Sequence, residues 1–161
     1  MTFTVTQKLL SFGPQYSVCD ENSQERYHVE GELLSFGRQL RMYDASHREV
    51  AFIKQKWPSM LPSFSVLVGG REIACIKAEL ALFSAKYSVT GLGWAVEGNI
   101  LRRHYRVKDA QGRQIAQIDK EWTLLQDTFT LHLDDHADEI TAIAVVLAID
   151  TVLDMQNNAV N

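Results

Sequence analysis

The stretch Arg102-Arg103-His104-Tyr105-Arg106-Val107-Lys108 packs more cationic side chains together than any other part of the chain. On a β-strand, residues i and i+2 share a face. If Tyr105 and Val107 point inward, Arg102, His104, Arg106 and Lys108 form one outward basic stripe. Guanidinium forks match the spacing of phosphate oxygens, so the chemistry such a stripe could do is to dock a phospholipid headgroup or another anion. The competing reading is a solvated strand face, partly paired with acids such as Glu97 on a neighbouring strand. Alternation turns Arg103 inward. A buried guanidinium without a partner is costly, so Arg103 is expected at the rim of the fold beside a carboxylate.

The densest set of potential metal ligands is His132, Asp134, Asp135, His136 and Asp138. Two imidazoles four residues apart can share a metal on a helix, but His132 reads as the end of a strand and breaks that geometry. The aspartates already have a use in starting a helix. His28, His47 and His104 are scattered without zinc spacing. No serine or cysteine stands in a glycine elbow. Gly69-Gly70 and Gly91-Leu92-Gly93 read as hairpin turns rather than phosphate loops, because no helix follows them. The reading is therefore non-catalytic, with no metal and no cofactor.

What must position the stripe is a repeat. Lys8-Leu9-Leu10-Ser11-Phe12 returns as Glu32-Leu33-Leu34-Ser35-Phe36. Eight residues after each opening charge comes an apolar–x–apolar triplet, from Tyr16-Ser17-Val18 through Leu40-Arg41-Met42, Phe64-Ser65-Val66, Tyr87-Ser88-Val89 and Tyr105-Arg106-Val107 to Phe129-Thr130-Leu131. The openings at Lys8, Glu32, Lys56, Glu79, Glu97 and Glu121 are spaced 24, 24, 23, 18 and 24 residues apart. Each triplet is followed by turn residues, such as Asp44-Ala45-Ser46-His47 or Asp109-Ala110-Gln111-Gly112, and a second apolar run. Each unit reads as a hairpin. Together they predict twelve strands between Phe3 and Leu133.

So many short strands need two packed sheets or a closed barrel. The segment from Glu139 to Asp154 chooses between them. It opens with the acids Asp134, Asp135 and Asp138, which suit the positive end of a helix, and from Ile140 to Ile149 it is apolar on nearly every face. A helix apolar all round is buried all round. A sandwich covers one face of a helix and a barrel covers every face. The expected fold is mainly β: a closed twelve-stranded antiparallel barrel around a C-terminal helix of about residues 138–154, one domain over residues 1–161. Asp150 is expected near a barrel end, beside a basic or hydroxyl group.

The apolar helical stretch runs for about ten residues against the ~20 a bilayer requires, so no transmembrane span is expected. Residues Met1-Thr2-Phe3-Thr4-Val5 show no basic region leading into an apolar one, which points to a cytoplasmic protein. The net charge of −4 opposes non-specific binding to nucleic acid or to an anionic membrane, although a local basic patch can override it, and no nucleic-acid partner is expected. Cys19 and Cys75, both in strand-like runs, read as small buried thiols rather than a disulfide framework.

The repeated charge–Leu–Leu–Ser–Phe hairpins and the terminal Ile149-Asp150-Thr151-Val152-Leu153-Asp154 resemble the LURP-one-related family, of the tubby C-terminal-like superfamily that includes phospholipid scramblases. The resemblance spans roughly Lys8 to Asp154. It implies a twelve-stranded barrel with a central helix. Within that superfamily tubby domains hold phosphoinositide headgroups through exposed basic side chains and scramblases act at membranes; the resemblance carries over no settled activity and matches no tubby basic motif to particular residues here. Two functions follow as expectations. One is a module binding phospholipid headgroups or other anions, peripheral to a membrane. The other is a protein-interaction or scaffold domain without a ligand pocket.

Overall fold

A computed structural model of the chain describes residues 1–11, 13–35, 37–79, 86–99, 102, 104–121 and 127–159. The strands are β1 (Thr2–Leu10), β2 (Gly13–Cys19), β3 (Glu25–Leu34), β4 (Gly37–Asp44), β5 (Glu49–Gln55) and β6 (Ser63–Val68), followed by β7 (Arg71–Glu79), β8 (Lys86–Thr90), β9 (Ala95–Asn99), β10 (His104–Lys108), β11 (Gln114–Glu121) and β12 (Asp127–Leu133). The helix α1 (Glu139–Ala159) ends the fold. All strand pairs are antiparallel, in the order β8-β7-β6-β5-β4-β3-β2-β1-β12-β11-β10-β9. The sheet is a nearly closed barrel. Its seam lies between β8 and β9, which are consecutive in sequence yet share one bridge, Val89 to Trp94.

Alternation does what the triplets predict. Both apolar members of all six triplets are buried, from Tyr16 and Val18 to Phe129 and Leu131. The helix fills the space they enclose: every residue from 142 to 153 is buried. Asp138 caps it, its Oδ1 accepting the Thr141 N–H at 2.7 Å, and the Ala142 N–H reaches the Asp138 carbonyl. Its first residue, Glu139, accepts a hydrogen bond from the Tyr27 hydroxyl at 2.7 Å. Burial and that neighbouring carboxylate both push the Tyr27 hydroxyl well above its ordinary range.

Two expectations are corrected. The helix runs on to Ala159 rather than stopping near Asp154, because Asp154 is half-buried at the barrel wall, where the Gln7 amide donates to it at 3.3 Å. Cys19 and Cys75 are half-exposed, not buried. Their neighbours Val18, Ala74 and Ile76 take the inward positions, so alternation leaves both thiols on the outer face. Asp150 is only 4% exposed, one helical turn inside the point where burial ends after Leu153.

Because neighbouring strands are antiparallel, the connections divide between two ends. The turns after β2, β4, β10 and β12 share one end and one design. Asp20 Oδ1 accepts the N–H groups of Asn22 and Gln24. Asp44 serves Ser46 and Arg48 in the same way, and Asp109 serves Gln111 and Arg113. Asp134 accepts the His136 N–H. The helix starts at this end and its C-terminus reaches the other, where Tyr87 donates to Gln156.

Candidate functional site

The basic stripe lies on β10, one strand in from the seam. β9 pairs with it on one side and β11 on the other. Tyr105 and Val107 are buried, so His104 and Arg106 are turned out. Opposite Tyr105 stands Gly98, with φ of +120°. A Cβ there would come within 2.8 Å of the His104 carbonyl, so glycine allows β9 to close against β10.

The four cations differ in what holds them. Lys108, half-buried, pairs with Glu97 at 2.6 Å. His104 Nδ1 lies 2.5 Å from Asp119 on β11. Arg106 is exposed and has no ion-pair partner among the described residues. Arg102 is exposed too and lies before the strand, with its backbone N–H donated to Asn99 Oδ1 at 3.1 Å. Arg103, expected at the rim beside a carboxylate, lies outside the described residues.

A depression of about 300 Å³ adjoins the stripe, lined by Glu97, Gly98, Asn99, His104, Tyr105, Arg106 and Gln117. Its charged groups are the Arg106 guanidinium and the Glu97 carboxylate; Gln117 Nε2–H already donates to Asp119 at 2.8 Å and Asn99 Oδ1 accepts the Arg102 N–H. Such a set can hold an anion beside Arg106 if the anion also takes amide donors. Asp119, Asn99 and Gln117 were not legible as part of this site. Their membership depends on the register of β9 and β11 against β10, which places His104 across from both Asn99 and Asp119.

The aspartate–histidine segment is structural. Asp134 holds its turn, Asp138 caps α1 and Asp135 takes the N-terminal ammonium of Met1 at 2.9 Å. His132 Nδ1 lies 3.2 Å from the Thr2 hydroxyl. Among the described residues no group of three or more ligand side chains could hold a metal ion, and no helix is long and apolar enough to cross a membrane.

The chain is 27% identical over 147 residues to an uncharacterized Bacillus subtilis (strain 168) protein, YxjI, covering 91% of this chain and 90% of the relative. An X-ray structure of a protein from Arabidopsis thaliana superposes with a TM-score of 0.68 at 16% identity, covering 94% of this chain and 91% of the other. At that identity the likeness speaks for the fold alone. The profile of the LURP-one-related family matches residues 1–150, through all twelve strands and into the buried half of the helix, and the chain belongs to that family.

Proposed function

We propose that the protein is a non-catalytic binding module for phospholipid headgroups or chemically similar anions, with Arg102 and Arg106 as the working cations. One observation carries the reading. His104 and Lys108 are already held by Asp119 and Glu97, whereas Arg102 and Arg106 are exposed and have no carboxylate partner among the described residues. Two guanidiniums without ion-pair partners on one edge of the barrel, Arg106 lining the depression and Arg102 bonded to its Asn99, suit a phosphate group. Membrane placement, where it occurs, is peripheral.

The test is sedimentation of the purified protein with phosphatidylserine-containing vesicles over a salt series. Binding should weaken as salt rises, and Arg102→Glu with Arg106→Glu should reduce its salt-sensitive part. Stability should change by less than about 0.5 kcal/mol, as for other surface substitutions. Unaltered binding in the double variant removes the reading. A second reading, a protein-interaction domain, draws on the seam, where β9 is a largely exposed edge strand able to accept an added strand. A stable partner or dimer that protects β9 amides, without vesicle binding, would favour it.

A further inference from the structure

Three leucines of the charge–Leu–Leu–Ser–Phe repeat are not consumed by the core. Leu10, Leu33 and Leu34 are 51%, 58% and 41% exposed, and Trp57 and Met60 are 70% and 101% exposed. They occupy three neighbouring connections at the end of the barrel opposite the aspartate turns: β1 to β2, β3 to β4 and β5 to β6. These tips are joined side by side. Gly13 packs so closely on Gly31 that a Cβ would lie 2.2 Å from the Gly31 carbonyl oxygen. The Arg38 N–H donates to Gln55 Oε1 at 3.0 Å. The third tip is anchored too: Leu61 packs on the core, the Lys56 N–H reaches the Ser63 carbonyl, and the Ala78 N–H reaches that of Pro62. Trp57 and Met60 therefore stand out from a fixed loop.

The charges around these tips are mostly of one sign. Among the described residues of 8–11, 13–15, 32–35, 37–39 and 54–63, the cations are Lys8, Arg38, Lys54 and Lys56, and the carboxylate is Glu32. Lys56 is paired with Glu72, whereas Lys8, Arg38 and Lys54 have no ion-pair partner among the described residues. The opposite end carries Asp20, Asp44, Asp109, Asp134 and Asp138 in its turns, with Asp44 paired to Arg48 and Asp109 to Arg113. A net charge of −4 thus coexists with a basic, apolar rim at these three tips.

We propose that this rim docks on an anionic lipid bilayer, with Leu33, Trp57 and Met60 entering the headgroup–acyl boundary while Lys8, Arg38 and Lys54 meet the lipid charge. The chemistry favours lipid over a protein partner. Protein interfaces are depleted in lysine at their centres, whereas an exposed tryptophan and aliphatic tips ringed by lysine suit the membrane interface. The surface is separate from the β10 stripe and stands without it.

The experiment uses the full chain with vesicles of phosphatidylcholine alone and of phosphatidylcholine with phosphatidylserine, with brominated acyl chains as quencher. Wild-type protein should sediment with the anionic vesicles, and part of its tryptophan emission should be quenched. Trp57→Phe should remove that quenched part. Leu33→Gln with Met60→Gln should weaken binding by about tenfold or more, because two apolar side chains no longer leave water. These are surface positions, so the melting temperature should hold and separate lost docking from lost folding. Wild-type protein that ignores anionic vesicles, or the double rim variant binding as tightly as wild type, overturns the proposal. So does self-association that the rim substitutions abolish while vesicles are ignored, since a second copy would then cover the rim. Loss of binding in Arg102→Glu/Arg106→Glu but not in the rim variant would keep the stripe and sink the rim; the reverse would do the opposite.

Discussion

Asp44 shows how one carboxylate sets a turn. Its Oδ1 accepts the N–H groups of Ser46 and Arg48 while its Oδ2 takes the Arg48 guanidinium at 2.9 Å. The backbone hydrogen bond from Arg48 leads, and with the bonds from its side chain and from Ser46 it holds the Asp44 carboxyl below the usual carboxylate range against the opposing cost of desolvation. A depressed carboxylate contributes stability that is present above its unfolded pKa and lost as pH falls through the folded one. Asp44→Asn keeps an acceptor oxygen and removes the charge. It should therefore melt below wild type at neutral pH, with the gap closing below about pH 4 as the wild-type carboxyl protonates. A pH series of thermal melts reads this directly; a gap that persists in acid would mean that the side chain's shape, not its charge, holds the turn. The same scale explains what was hidden in the candidate site. Arg102, His104, Arg106 and Lys108 were legible by residue type and alternation, and so was Glu97 as an acid beside them; which cation takes which acid was not. The register sets His104 opposite Asp119 and Arg106 opposite Glu97, yet Glu97 pairs with the diagonal Lys108.

At the scale of elements, α1 is the piece most dependent on its first turn. Asp138 supplies the cap through Thr141, and Glu139 links the helix to Tyr27 and, at 3.5 Å, to Arg26. Replacing Asp138 with alanine leaves orphan N–H groups at the helix start and should cost about 0.5–2 kcal/mol. Chemical denaturation would show it as a lower midpoint with an unchanged slope. A midpoint equal to that of wild type would mean that Glu139 and the acidic turn hold the helix start without the cap. The twelve strands and the helix were legible because two periods run through the chain, alternation in the strands and an all-apolar run in the helix. The seam was not. β8 carries the alternating pattern of the other strands, but it shares one bridge with β9, between Val89 and Trp94, and no local preference in β8 records that parting. The exposed rim was equally hidden. Leu10, Leu33 and Leu34 look like core residues by type, and only their position beyond the end of the packed barrel leaves them in water.

For the whole molecule the question is whether the strands can hold without the helix. The inward faces of the strands converge on side chains that α1 supplies, with Ile143, Leu147, Ile149 and Leu153 among its largest fully buried groups. Ala142, Ala144 and Ala148 are just as buried, and their small size lets the helix fit so narrow a space. Each buried aliphatic is worth about 1.5–3 kcal/mol, and a whole domain is stable by only about 5–15 kcal/mol. Emptying the barrel removes several of these at once and leaves a cavity that twelve strands cannot collapse into while keeping their register. A chain cut before Ile140 should lose its cooperative melt and bind a hydrophobic dye, as collapsed chains without fixed packing do. Val146→Asp tests the same point within the intact chain, since Val146 is 1% exposed and a carboxylate there has no room for water. It should lower the melting temperature by tens of degrees or abolish the transition. A truncated chain with a sharp melt and dispersed amide resonances would show that the strands carry the fold alone and that the helix only occupies the space they enclose.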